Sequence, residues 1–244
     1  MTLPPSKTPV ASRNFRLNFW KVSYRFQDRA QAGRLLAEKL AGFSNRPEVV
    51  VLGLPRGGVP VAFEVARRLQ TALDVFMVRK LGVPGHEELA MGAIASGNIC
   101  FLNDSVIHSL GIPPDIIDQA IARERHELEL GERAFRTGRP VELRDRVVVL
   151  VDDGLATGAS MRAAVMAARE RHPARVIVAA PVAARETCKA FTELADEIVC
   201  VQTPANFEGV GQWYEDFTQT SDEEVRRLLK EGAKFGQARG SEAW

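Results

Sequence analysis

The chain has 244 residues, ordinary apolar content (45%) and a formal net charge of +1 at pH 7. That length suits one large domain, and the composition supports a sizeable core, which excludes wholesale disorder. Near-neutral charge gives no basic excess of the kind that nucleic acid or an anionic membrane requires of its main partner, and no apolar run is long enough to span a bilayer. Three cysteines, Cys100, Cys188 and Cys200, stand far apart without paired spacing. They define neither a disulfide framework nor a zinc site, so a reducing, cytoplasmic setting is expected.

The first stretch, residues 1–27, has Lys and Arg but no acid until Asp28, and lacks the continuous apolar segment of a secretory signal. It reads as an arm that docks by its aromatics. "DRAQAGRLLAEKLAGF" then opens a helix with Asp28 as N-cap. "EVVVLGL" reads as a buried strand, "VPVAFEVARRLQ" as a helix and "LDVFMV" as a second strand. "RKLGVPGHEELAMGAIASGNICFLN" is punctuated by Gly and Pro and reads as a long loop carrying a β-hairpin. A long amphipathic helix starts near Pro113–Pro114. The run "VVVLV" is the next strand and "SMRAAVMAARER" the next helix; "ARVIVAAPV", "RETCKAFTEL" and "DEIVCVQ" follow as strand, helix, strand. "SDEEVRRLLKEGAKF" closes as a helix whose Ser221 and Glu224 have capping-box spacing. Strands alternating with helices predict an α/β fold, a mainly parallel twisted sheet flanked by helices, in one domain over 28–235 with a tail at 236–244.

Chemistry concentrates after two of the strands. Asp152 and Asp153 follow Val147–Val151, and Gly154-Leu155-Ala156-Thr157-Gly158-Ala159-Ser160 follow them into a helix. Adjacent carboxylates at a strand end repel each other and resist burial, so packing does not favour them. Small residues at a helix N-terminus turn amide N–H groups toward a ligand and add positive potential. Phosphate in the loop and sugar hydroxyls on the acids describe a phosphorylated sugar. "LGLPRGGVP" follows the first strand, with Gly57 and Gly58 able to expose amides and Arg56 adding a planar cation. Both segments lie where ligands sit in such sheets, beyond the strands' carboxyl ends. "HEELAM" is not a zinc motif, because Met91 stands where a second histidine is needed.

"VVVLVDDGLATGAS" closely resembles the 5-phosphoribosyl-1-diphosphate (PRPP) binding signature of the type I phosphoribosyltransferases, a hydrophobic run, two acids, two variable residues and T-G-x-S/T. The likeness runs from about Asp28 to Phe217. It implies that Asp152 and Asp153 contact the ribose hydroxyls, and that Gly154 and Ala156 to Ser160 cradle the 5-phosphate. Arg56, Gly57 and Gly58 would form the pyrophosphate loop. It implies a flexible loop over 79–103 that brings Arg79 and Lys80 to the leaving pyrophosphate, with His86 either a third such group or a plain loop histidine. A C-terminal hood over 202–217 would place Phe207 on the acceptor base, with Trp213 and Tyr214 as further aromatics. Mg²⁺ is implied, bound largely by PRPP, with Asp152 and Asp153 assisting through water, and a homodimer is the family's habit. The hypoxanthine-type members read the purine with a lysine; "PVAARE" has alanines there, and Arg185 is a weak substitute. Aligned on the two glycines, the family also places a non-proline cis peptide at Pro55–Arg56.

The implied reaction is displacement of pyrophosphate from C1 of PRPP by a nitrogen nucleophile, a nucleobase as in nucleotide salvage. The competing reading is a PRPP-sensing regulator of the same fold without transferase activity. A sugar-phosphate hydrolase needs a placed base or nucleophile for water, and none is legible.

Overall fold

The computed structural model describes residues 24–135 and 141–235. Five strands form a parallel sheet in the order β2-β1-β6-β7-β8: β1 Val49–Gly53, β2 Ala72–Val75, β6 Val147–Val151, β7 Arg175–Val182 and β8 Glu197–Gln202. The expected α/β architecture is therefore present. β1 and β6 run side by side in register, Val49 opposite Val147 and Gly53 opposite Val151. Every residue of these two strands is buried. Alternation along the strands sorts them onto two cores. Val49, Val51, Val147, Val149 and Val151 pack with α1 (Arg29–Lys39) and α2 (Gly58–Leu69) on one face. Val50, Leu52, Val148 and Leu150 pack with α5 (Ala159–Arg169) and α6 (Arg185–Phe191) on the other. Continuous apolar runs are what a strand covered on both faces requires.

The caps are as the sequence implies. Asp28 accepts from the Gln31 amide at 2.6 Å and opens α1. Ser221 accepts from the Glu224 amide at 3.1 Å and opens α7 (Asp222–Gly232). Ser221→Ala removes that acceptor, so a thermal melt should show a loss of about 1 kcal/mol.

The stretch read as a long loop with one hairpin is instead a three-stranded antiparallel sheet, β3 Val78–Val83, β4 His86–Ala95 and β5 Ile99–Leu102. Leu81, Val83, Met91, Ala93, Ile94, Ala95 and Ile99 are buried, so this sheet has a core face of its own. Gly97 and Asn98, at φ +81° and +61°, lie in its second turn, a three-residue loop between the paired Ala95 and Ile99. The expected strand over "LDVFMV" is split between β2 and β3. The chain leaves the parallel sheet after Val75, Phe76 donates back to the Gly53 carbonyl at 2.9 Å, and β3 begins at Val78. A short helix unforeseen in the sequence, α3 (Asp104–Leu110), is capped by Asn103 and ended by left-handed Gly111. The long helix α4 spans Pro114–Phe135, starting where the proline pair indicates.

Phe26 is wholly buried and bridges to Tyr214, its amide donating to the Trp213 carbonyl at 2.8 Å. The segment just before α1 is thereby joined to the stretch after β8. Of the arm, residues 1–23 lie outside the described part of the chain, as does the tail at 236–244. Among the described residues no helix is long and apolar enough to cross a membrane.

Candidate functional site

β1 and β6 are neighbours, so the two segments that leave their carboxyl ends emerge together. The Leu54 amide donates to the Val151 carbonyl at 2.8 Å and ties the two exits at their root. The Pro55–Arg56 peptide is cis. Gly57 has an ordinary right-handed helical conformation, φ −60° and ψ −32°, so it is not glycine for its dihedrals. A Cβ there would run into the Asp153 carboxylate, and one on Gly58 would lie 2.6 Å from the Val151 carbonyl and 2.9 Å from Asp152 Cα. The glycines thus let one loop lie directly on the acids of the other. One detail differs from expectation. The Gly58 amide donates to the Leu54 carbonyl at 3.0 Å, closing the turn, so it is not turned toward a ligand.

The loop after the acids is built on close approach. Gly154 lies against Val210, whose Cγ1 would be 2.5 Å from an added Cβ. Leu155 is buried and bridges to Ala183, and Thr187 Oγ1 donates to the Ala156 carbonyl at 2.5 Å. Gly158 is left-handed (φ +71°), and its Cα faces Phe191 and Thr187 so closely that a Cβ would meet them at 2.6 and 2.8 Å. Gly158 is the N-cap of α5, and Thr157 Oγ1 accepts from the Ala159 amide at 3.4 Å. Ala156, Thr157 and Ser160 are exposed at the mouth of this turn, with Ala159 half-buried between them. A helix N-terminus flanked by two hydroxyls is a ready anion site.

The acids are held unequally. Arg29, from the first turn of α1, donates its Nε to Asp153 Oδ2 at 2.8 Å, with the two side chains only 12% and 14% exposed. Its Nη1 donates to the Thr218 carbonyl at 2.7 Å, and its guanidinium lies 4.1 Å over the Phe217 ring. Tyr214 Oη donates to the Asp153 carbonyl at 2.6 Å. Burial, then the Asp153 charge, pushes the Asp152 carboxyl well above the usual carboxylate range. Burial also raises Asp153, but the Arg29 guanidinium opposes the rise. Burial and the nearby Asp153 charge push the Tyr214 phenol up, so it keeps its proton and its role as donor.

Arg29 and Tyr214 Oη were not legible as site groups. Arg29 carried one signal: a cation in the first turn of a helix opposes the macrodipole, so it should be answering an anion elsewhere. The remaining candidates are spread out. Arg56 pairs with Asp222 at the start of α7, 3.3 Å away, and lines an open cleft of about 440 Å³ with Ser221 and Arg226. Arg79 sits on β3 with its guanidinium 3.2 Å from Glu127 of α4, and its buried Nε lacks a partner. Lys80 follows it on β3, opposite Ala93 of β4. His86 begins β4, with its side chain outside the described residues. Phe207 and Trp213 are partly buried against Phe26, Val182 and Tyr214. Arg185 opens α6 and donates to the Thr203 carbonyl at 3.1 Å, linking that helix to the stretch after β8.

Two acids and a glycine turn stand at adjacent strand ends of a parallel sheet, where α/β folds of this kind take their ligands. Comparison with known families is specific: the phosphoribosyl transferase domain matches residues 25–217, and the chain belongs to that family. Two curated Mycobacterium tuberculosis proteins, each named "Putative phosphoribosyl transferase", are 48% identical over 205 residues, covering 84% of this chain and 46% of each relative. The chain therefore spans about half the length of those relatives. The crystal structure of TT1426 from Thermus thermophilus is similar at 43% identity and a TM-score of 0.78, covering 86% of this chain and 99% of that one.

Proposed function

We propose that this chain transfers the 5-phosphoribosyl group of PRPP to a nitrogen nucleophile, a nucleobase, and releases pyrophosphate. One observation carries the reading: the Gly57–Gly58 turn lies on Asp152 and Asp153, which lead straight into the cradle at Ala156–Ser160. A phosphate, a ribose and a pyrophosphate then have adjoining places. Gly154, Thr157, Gly158, Ala159 and Ser160 would hold the 5-phosphate. Asp152 and Asp153 would meet the ribose hydroxyls and lie where positive charge builds on the ring as the C1–O bond breaks. Arg56 and the Gly57 amide would receive the pyrophosphate. Lys80 is assigned to the same leaving group, and Arg79 reaches it only by giving up Glu127. Phe207, packed against the cluster of Phe26, Val182 and Tyr214, is assigned to the acceptor base.

Mg²⁺ fits this donor set in a supporting place. Among the described residues no group of three or more His, Cys, Asp or Glu could hold a metal. Two carboxylates, one already paired with Arg29, fall short of the octahedral shell Mg²⁺ demands, so PRPP and water would supply most ligands. Bound in that way, the ion neutralises charge on the departing pyrophosphate. A cytoplasmic homodimer acting in nucleotide salvage is part of the same proposal.

Calorimetry with PRPP should show binding that tightens when Mg²⁺ is added, and a thermal shift equivalent to about 2.7 kcal/mol at a hundredfold excess over Kd. A pyrophosphate-release screen with PRPP and a panel of bases and other amines then identifies the acceptor. PRPP binding without turnover on any acceptor would favour the regulatory reading, and no binding at millimolar-order PRPP would end both.

A further inference from the structure

Cys188 in α6 and Cys200 in the edge strand β8 bring their sulfurs to 3.3 Å. Both thiols are free and half-buried. The residue beside Cys188 is Thr187, which donates to the Ala156 carbonyl at 2.5 Å. Thr187 and Phe191 together close on Gly158, the left-handed residue that starts α5. The short helix α6 is thus braced against β8 at one residue and against the 156–160 turn at the residues around it.

We propose that Cys188 and Cys200 form a modification site, a peroxide-oxidisable thiol pair whose disulfide weakens the grip of the 156–160 turn on a phosphate. The second half rests on the phosphate-cradle reading above. A hydrogen bond from the Cys200 thiol lowers the Cys188 pKa, whereas the same bond and burial raise that of Cys200. Cys188 is therefore the attacking thiolate. It displaces hydroxide from hydrogen peroxide, the O–O bond breaks, and with one proton the products are a Cys188 sulfenic acid and water. The Cys200 sulfur then attacks the Cys188 sulfur, giving up its proton as the S–O bond breaks and a second water leaves. In sum, two thiols and one peroxide give one disulfide and two waters. The oxidant is peroxide, reduced by two electrons, and the sulfurs supply them.

A disulfide holds its sulfurs about 2.0 Å apart, so bonding draws them together by more than an ångström. β8 is hydrogen-bonded to β7 along its length, whereas α6 has fewer than two full turns, so α6 is the element that shifts. That movement pulls Thr187 from the Ala156 carbonyl and Phe191 from Gly158, and the turn loses the contacts that shape it.

The experiment uses the full chain carrying Cys100→Ser, treated with a small excess of hydrogen peroxide. Intact mass should fall by two hydrogen atoms, and a non-reducing peptide map should join the Cys188 and Cys200 peptides. Affinity for ribose 5-phosphate, read by calorimetry, should fall on the order of 10-fold and return with dithiothreitol. Cys188→Ser and Cys200→Ser should each bind ribose 5-phosphate like the reduced chain and lose the peroxide response. A map without the 188–200 link overturns the proposal, as does a link that leaves ribose 5-phosphate affinity unchanged. If the reduced chain takes no ribose 5-phosphate, the phosphate-cradle reading and the coupling fall together. The link itself is read by mass, so the two failures are distinguishable.

Discussion

Asp152→Asn and Asp153→Asn should each lower turnover on the order of 10²-fold or more, the scale seen when one preorganised electrostatic group is removed from a transition state. The two should differ in stability. Asp152 is a carboxyl that burial and its neighbour push toward the neutral form, so an uncharged amide of the same shape relieves an unfavourable placement. Its melting temperature should hold or rise. Asp153 faces the Arg29 guanidinium at 2.8 Å. Asparagine keeps an oxygen for that donor but removes the charge, with an expected loss of about 1–2 kcal/mol. Rates from pyrophosphate release and thermal melts of both variants decide the matter. Full activity in both would remove the acids from the mechanism, and equal melting temperatures would show that Arg29 does not distinguish them.

Arg29→Ala should damage both stability and rate. It strands a carboxylate that is only 14% exposed, and truncating one partner of a buried pair is costly, here about 2–4 kcal/mol. The same change frees the Thr218 carbonyl and uncovers Phe217, so the segment after β8 loses a tie to α1. With Asp153 no longer oriented, turnover should fall by up to about 10²-fold, as for other small misplacements of a reacting constellation. Arg29→Lys is the informative control. Lysine restores charge but not the planar fork that meets Asp153, Thr218 and Phe217 at once, so it should recover stability in part and rate less. An Arg29→Ala protein with wild-type turnover at the assay temperature would reduce Arg29 to a structural tie.

The sequence was most legible where one local rule sufficed. Val147–Val151 reads as a doubly covered strand because nothing but burial on both faces suits five consecutive apolar residues, and the structure buries all five. Asp28 and Ser221 read as caps because a side-chain oxygen next to a helix start has an amide within reach. Residues 79–103 were less legible. Gly and Pro in "LGVPGHEELAMGAIASGNI" suggested loop, yet Pro84 and Gly85 mark one turn and Gly97 and Asn98 another, with strands between. Alternation there is irregular because β3 and β4 shift register at Leu81 to Val83, which blurs the period of two.

The family, the strand that carries the acids, the small-residue turn after them and the pair of glycines facing them could all be read along the chain, because each is a contiguous motif. What those motifs touch is a matter of three-dimensional packing. The fold sets Gly57 on Asp153, spends the Gly58 amide on Leu54, caps α5 with Gly158 and pairs Arg79 with Glu127. It brings Arg29 to Asp153 across 124 residues and Cys188 to Cys200 across a helix–strand junction. The difference is one of range. Helix caps and strand burial depend on neighbours a few residues away, whereas an ion pair or a thiol contact depends on which elements the parallel sheet lays side by side, and that order, β2-β1-β6-β7-β8, emerges only when the whole core packs.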